Sequence, residues 1–291
     1  MKNIILICAD SLRRDAPPMK LDDLPHVELS HVVSENSCTE KSLPWMLSGM
    51  EVFSPAMSIP NDLHKLGYGS TLIHSNPIVD RFKTPFIHTI DISNQTASKT
   101  LGKKYNRIRH FAEQTLPHGF YEWLKRRVQG NKENYLPYSR IYDTLPHIPD
   151  AYPWFTWVHL MDPHTPYYPS GWFDHNKLVT LNNNHLSTVR GYYTPTKNEV
   201  ESWKKLYLIE IMQMNEILNI WLSAVDFTKN TVIFTSDHGE EFGEHGEYGH
   251  KGDRFNPENV DVPFIVFGMN LPEFDLTGHR GLRGLVKRLT K

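Results

Sequence analysis

Three places in the 291-residue chain put metal-binding side chains directly after an apolar run. Residues 4–9 run into Asp10, and residues 154–160 into Asp162 and His164. Residues 230–234 lead to Asp237-His238, then to the glycine-punctuated Gly239-Glu240-Glu241-Phe242-Gly243-Glu244-His245-Gly246. Carboxylate oxygen and imidazole nitrogen are donors that zinc and manganese accept. In open α/β sheets, ligands bind outside the carboxyl ends of the strands. One polar strand end is ordinary, whereas three on a parallel sheet converge on one rim. The chemistry implied is metal-assisted, with a cation polarising a substrate oxygen and activating a nucleophile. Taken alone, Asp10 would read as a helix cap, but its company favours metal ligation.

The elements that must position these residues follow from the apolar pattern. Residues 4–9 and 154–160 are almost uninterruptedly apolar, as central parallel strands covered on both faces require. Further strands are expected at 70–74 and 262–267. Helices are expected at 44–50, with Ser42 as cap, at 61–66 and at 198–222. In the last of these, Leu206, Ile209, Met212 and Ile217 recur at helical spacing. Ser75-Asn76-Pro77 signals a turn. Strands alternating with helices predict a three-layer α/β sandwich with a mostly parallel central sheet. Residues 95–150 interleave Lys103, Arg107 and Arg126 with Phe111 and Trp123, and read as a basic-aromatic insertion packed on the core. Residues 269–291 form a short basic tail, and the whole of 1–291 is expected as one domain.

Composition narrows the classes. At 39% hydrophobic and 12% aromatic residues the chain can bury a large core, so disorder is excluded. A formal charge of −2 gives no footing for nucleic acid or an anionic membrane surface. Cys8 and Cys38 are the only cysteines and make no disulfide framework. No stretch approaches the roughly 18 uninterrupted apolar residues of a membrane span. The N-terminal run is too short for a signal peptide. The expectation is a soluble, cytoplasmic protein.

Ile7-Cys8-Ala9-Asp10-Ser11-Leu12-Arg13-Arg14-Asp15, followed by Leu43-Pro44 and Leu47-Ser48-Gly49, resembles the opening of the sulfatase family in the alkaline phosphatase superfamily. His159-Leu160-Met161-Asp162-Pro163-His164-Thr165-Pro166-Tyr167 is similar to that family's middle motif. Ser236-Asp237-His238-Gly239-Glu240, Gly243-Glu244-His245-Gly246 and Gly249-His250 resemble its late metal motif, and Val262-Pro263-Phe264-Ile265-Val266 the strand after it. The resemblance implies an alkaline phosphatase-like sandwich in which Asp10, Thr39, Asp237 and His238 hold a divalent ion (Mn, Zn, Ca or Mg). A second ion beside Asp162 is left open.

The family's nucleophile stands ten positions before the glycine that closes the second motif, and counting back from Gly49 gives Thr39. Classical sulfatases carry Cys-x-Pro-Ser-Arg there, and its cysteine becomes formylglycine. Here Cys38 is one position out of register and is followed by Thr39-Glu40-Lys41-Ser42, without the proline or the arginine. Thr39 is the expected nucleophile and Cys38 the alternative. Superfamily members that use threonine or serine act mostly on phosphate esters. The resemblance further implies His164 and His250 as catalytic groups, and Lys251 and Asn76 as substrate contacts. Arg13 and Arg81 are equally anion contacts or surface residues, and His245 reads as structural.

The expected function is a metal-dependent hydrolase of sulfate or phosphate esters, acting on a small-molecule or glycan ester through a covalent intermediate. The alternatives are a phospho-group transferase acting on a glycan or lipid headgroup, and a catalytically silent anion- or glycan-binding homologue. Family members usually continue past the strand at 262–267 into a smaller subdomain. Only about two dozen residues follow it here, so that subdomain is expected to be truncated and the pocket more open.

Overall fold

The structure, a computed structural model, describes residues 1–19, 21, 23–92, 148–149, 153–169 and 175–290. Apart from 148–149, the basic-aromatic segment expected at 95–150 lies outside the described residues. The main sheet is built from β1 (Asn3–Ala9), β2 (His26–Glu28), β4 (Gly69–His74), β5 (His88–Asp91), β6 (Trp154–Leu160), β7 (Asn230–Ser236) and β11 (Phe264–Phe267). Their order is β2-β11-β7-β1-β6-β4-β5. Among the described residues there are also two small pairs, β3 (Val32–Val33) with β10 (Asp261–Val262) and β8 (Glu241–Phe242) with β9 (Tyr248–Gly249).

β1 is the middle of the main sheet because it can be apolar on both faces. All its residues but the first are buried. It pairs in parallel with β6 on one side and β7 on the other, with Cys8 opposite His159 and Thr235. Asp10, Met161 and Asp237 therefore leave the sheet side by side. The apolar segment expected at 262–267 is split at Pro263, which cannot donate to a ladder. Its second half, β11, runs antiparallel to β7.

On one face, Ile4, Leu6, Trp157 and Ile233 pack against Leu43, Met46 and Leu47 of α1 (Thr39–Ser48), Leu63 of α2 (Ile59–His64) and Leu285 of a C-terminal helix. On the other, Ile5, Ile7, Val158 and Phe234 meet helices α3 (His175–Val189) and α4 (Lys197–Ser223) through Leu178, Trp203, Ile211 and Leu218. α4 opens on a capping box in which Thr196 and Glu199 satisfy each other's backbone N–H. A one-turn helix α5 (Pro257–Val260) precedes β10. The C-terminal helix, α6 (Leu282–Leu289), buries Leu282, Leu285, Val286 and Leu289. Among the described residues, no helix is long and apolar enough to cross a membrane.

One boundary bears on the site. The helix expected to begin near Pro44 begins at Thr39, with Cys38 as its N-cap. Lys41 and Ser42 donate to the Cys38 carbonyl, and Ser42 lies inside the helix instead of capping it. Proline normally marks a helix start because it removes a hydrogen bond. Here the burial of Leu43, Met46 and Leu47 outweighs that loss. Gly49 closes the helix at φ 70°, donating to Trp45.

Candidate metal centre

Asp10 and Asp237 are fully buried at the ends of β1 and β7. Asp237 Oδ1 accepts from the backbone N–H groups of Ser11 (3.3 Å) and His238 (3.0 Å), which aims Oδ2 away from the backbone. Ser11 adopts φ 64° to make this turn, an unfavourable conformation for a non-glycine residue of the kind found at functional sites. Ser236 Oγ ties the two strand ends together by accepting from Leu12 N–H and donating to the Ala9 carbonyl. Gly239 lets the next segment pass close to α5. A Cβ there would stand 2.0 Å from the Glu258 carbonyl oxygen.

Three donor atoms surround His238 Nε2. Asp10 Oδ1 and Asp237 Oδ2 lie 3.6 and 3.5 Å from His238 Nε2, and Thr39 Oγ1 lies 3.1 Å from it. Donors held about 2.1 Å from a tetrahedral cation stand about 3.4 Å apart, so the observed separations match a divalent-ion site. His238 Nδ1–H donates to the Gly239 carbonyl at 2.8 Å, which leaves Nε2 its lone pair. Burial, opposed by Asp237 and Asp10, lowers the His238 pKa and keeps the ring neutral. Asp237 Oδ2 is buried without a hydrogen-bond partner among the described residues. A charge left so is costly unless a cation meets it. These residues fit a bound divalent metal.

His159 belongs to the same cluster, since its nitrogen and oxygens of Asp10 and Asp237 fall within 4.8 Å of one another. It contacts the far oxygen of Asp10, Oδ2, at 3.1 Å, and Asn76 Nδ2 donates to that oxygen at 3.0 Å. Burial pushes the His159 pKa down, but the hydrogen bond to Asp10 wins and raises it. His159 is therefore a donor that orients Asp10. Burial likewise works against the Asp10 charge, but His164, His159 and His238 hold its carboxyl far below the usual range.

Thr39 is the first residue of α1, where the helix dipole favours negative charge. Beyond His238 lie His250 and His164. The His250 ring centroid is 4.4 Å from that of His238 and 4.9 Å from that of His164. His250 Nδ1 bonds Glu240 Oε2 at 3.0 Å, and His164 Nδ1 donates to the Thr165 carbonyl. Each ring thus keeps Nε2 for another partner. Burial lowers the His250 pKa, but Glu240, then Asp10 and Asp237, raise it to about 9.

The other sequence-derived candidates lie as follows. Asn76 is buried and turned to Asp10, its Oδ1 accepting from Ile78 N–H in the turn. Lys251 is exposed, and its carbonyl accepts from Ser37 Oγ at 2.7 Å. Cys38 is half-buried with Sγ 3.7 Å from Asn36 Oδ1, and burial pushes its thiol pKa up. Arg13 is bound to Asp15 and Glu244, Arg81 to Glu40, and His245 to Glu258. Asp162 is buried beside His164. Sequence reasoning did not single out His159, Ser11 or Glu240. A histidine interrupting the apolar strand at 154–160 was the available signal for the first.

A buried carboxylate–imidazole–hydroxyl cluster that could hold a metal ion thus sits on the carboxyl rim of a mostly parallel sheet in an α/β sandwich. The sulfatase family profile matches residues 2–272, and the chain belongs to that family. Its fold is that of the alkaline phosphatase superfamily. It is similar to the C-terminal periplasmic domain of EptC from Escherichia coli in complex with Zn (15% identity, TM-score 0.59, covering 97% of this chain and 80% of that one). It is similar also to the phosphonate monoester hydrolase of Agrobacterium radiobacter (15%, TM-score 0.57, 100% and 74%). A third likeness is to BT1596, a 2-O GAG sulfatase (11%, TM-score 0.60, 98% and 70%). No curated protein matches the sequence.

Proposed function

We propose that the chain is a metal-dependent enzyme that cleaves a sulfate or phosphate ester through a covalent intermediate on Thr39. The observation that carries this is Thr39 Oγ1, buried at a helix N-terminus and 3.1 Å from the unprotonated nitrogen of His238, in the company of Asp10 and Asp237. A bound divalent ion would lower the pKa of the threonine hydroxyl and neutralise charge on a non-bridging substrate oxygen. Thr39 Oγ1 gives up its proton to solvent and forms a bond to phosphorus or sulfur as the ester bond opposite it breaks. The departing alkoxide takes a proton from His250 or His164. Water attacking the Thr39 ester completes hydrolysis, and an alcohol attacking instead would complete transfer.

Two observations favour threonine over Cys38: the thiol lies against Asn36, and its pKa is raised, which disfavours the thiolate. Phosphate or phosphonate esters are the favoured substrates, since the formylglycine signal is missing and a phosphonate monoester hydrolase shares the fold. The test is a screen of nitrophenyl phosphate, bis-nitrophenyl phosphate, nitrophenyl phosphonate and nitrophenyl sulfate with zinc, manganese, calcium or magnesium. Turnover of at least one ester is expected, falling about a thousandfold in a folded Thr39→Ala variant. An unchanged rate in that variant refutes the nucleophile.

A further inference from the structure

Three of the buried polar atoms without a hydrogen-bond partner among the described residues are Glu240 Oε1, Tyr167 Oη and His185 Nε2. All three residues are fully buried. The Tyr167 and His185 rings stack with centroids 5.6 Å apart, and Trp203 and Phe242 wall in His185 at 4.7 and 6.0 Å. Burial pushes the Tyr167 hydroxyl up and His185 down to about 4, so both are neutral; the charge acting most on each is Glu240. The walls are anchored independently. Tyr167 exchanges two backbone hydrogen bonds with the Asn182 amide (2.8 and 2.9 Å), and His185 Nδ1 meets Thr165 Oγ1 at 3.2 Å.

Buried polar atoms in native proteins are almost always paired, and water with about three polar partners is the usual remedy. Glu240 gives Oε2 to His250 at 3.0 Å and leaves Oε1 without a hydrogen-bond partner among the described residues. We propose that Tyr167, His185 and Glu240 bind one water molecule between them and that this pocket orients the His250 ring, making Tyr167 and His185 positioning residues. Water donating to Oε1 sets the carboxylate plane, and Oε2 then sets the direction of the imidazole. The consequence for turnover rests on the reaction proposed above; the pocket does not.

The test removes only the hydroxyl, with Tyr167→Phe in the full chain. An unpartnered hydroxyl with a merely structural role would leave both turnover and His250 untouched. Expected instead are a kcat lowered about tenfold and a KM within about twofold, since positioning acts on the step and not on binding. The Nδ1–H proton resonance of His250, identified by its loss in His250→Gln, should move. A crystal structure of the parent protein should show density within hydrogen-bond distance of at least two of the three atoms. A folded variant with an unmoved resonance, or a dry pocket, overturns the proposal whatever the ester rates. A moved resonance with unchanged kcat overturns only the role in turnover, and a parent without activity on any ester overturns the reaction alone. His185→Gln carries the same readouts if Tyr167→Phe does not fold.

Discussion

Replacing Asp237 by asparagine separates what the site costs the fold from what a metal returns to it. Oxygens of Asp10 and Asp237 and a nitrogen of His159 lie within 4.8 Å of one another. Two unit negative charges at or inside that distance repel by at least about 3 kcal/mol at an effective dielectric constant of about 20. His159, hydrogen-bonded to Asp10, offsets part, leaving about 2 kcal/mol to be relieved. The asparagine keeps a carbonyl oxygen to accept from Ser11 and His238 N–H, and its amide nitrogen takes the place of Oδ2, 3.5 Å from His238 Nε2. In chelator, the variant should therefore melt about 4 °C above the parent. Zinc should reverse the order. At 100 to 1,000 times its dissociation constant a ligand stabilises by about 3 to 4 kcal/mol, and only the parent retains the full donor set. Thermal unfolding followed by circular dichroism, in chelator and across a zinc titration, measures both arms. A variant melting below the parent in chelator, with both proteins responding equally to zinc, would refute this account of the site.

Gly239→Ala should abolish zinc-dependent stabilisation even if the protein folds, because its Cβ would drive into the Glu258 carbonyl and displace His238; equilibrium dialysis reads this directly. Asp62 receives Arg283 Nη2 at 3.1 Å and Lys287 Nζ at 2.9 Å. Burial pushes its carboxyl pKa up, but Arg283 and Lys287 win and hold it below the usual range. A lowered folded pKa gives stability that is present above about pH 4 and lost as the pH falls through the folded value. Asp62→Asn should thus cost about 1–2 kcal/mol near neutrality and nothing at low pH, as denaturant titrations at several pH values would show. Gly49→Ala should cost about 1–2 kcal/mol, since φ is 70° and the new Cβ would stand 2.9 Å from the Arg280 carbonyl oxygen.

The parts of this fold legible in the sequence are those where one strong physical term dominates. β1, β6 and β7 are apolar on both faces, so their runs could only be interior strands, and Asp10 and Asp237 marked their ends. α4 showed itself by helical spacing. Where terms compete, the sequence misled or was silent. Pro44 argued for a helix start that packing on the sheet overrode, moving Thr39 from loop to helix N-terminus. All three residues of β2 are exposed, so it has no pattern to read. α3 runs through Asn182, Asn183, Asn184 and His185, poor helix formers whose role emerges only against Tyr167 and Thr165. His159 and Glu240 owe their importance to neighbours far along the chain, and no local spacing announces such partners.

The central position of β1 carries a cost during synthesis. Its first residue pairs with Asn230, whose side chain it also meets across 227 positions of sequence. At ribosomal speeds of about 5–20 residues per second, roughly 10–45 s pass between the two strands leaving the ribosome. For that interval β1, buried along all but its first residue in the folded protein, has an unpaired edge, open to any other extended segment. The strand that leads into Asp10 is thus also the one whose protection by chaperones should decide how much folded protein a cell obtains.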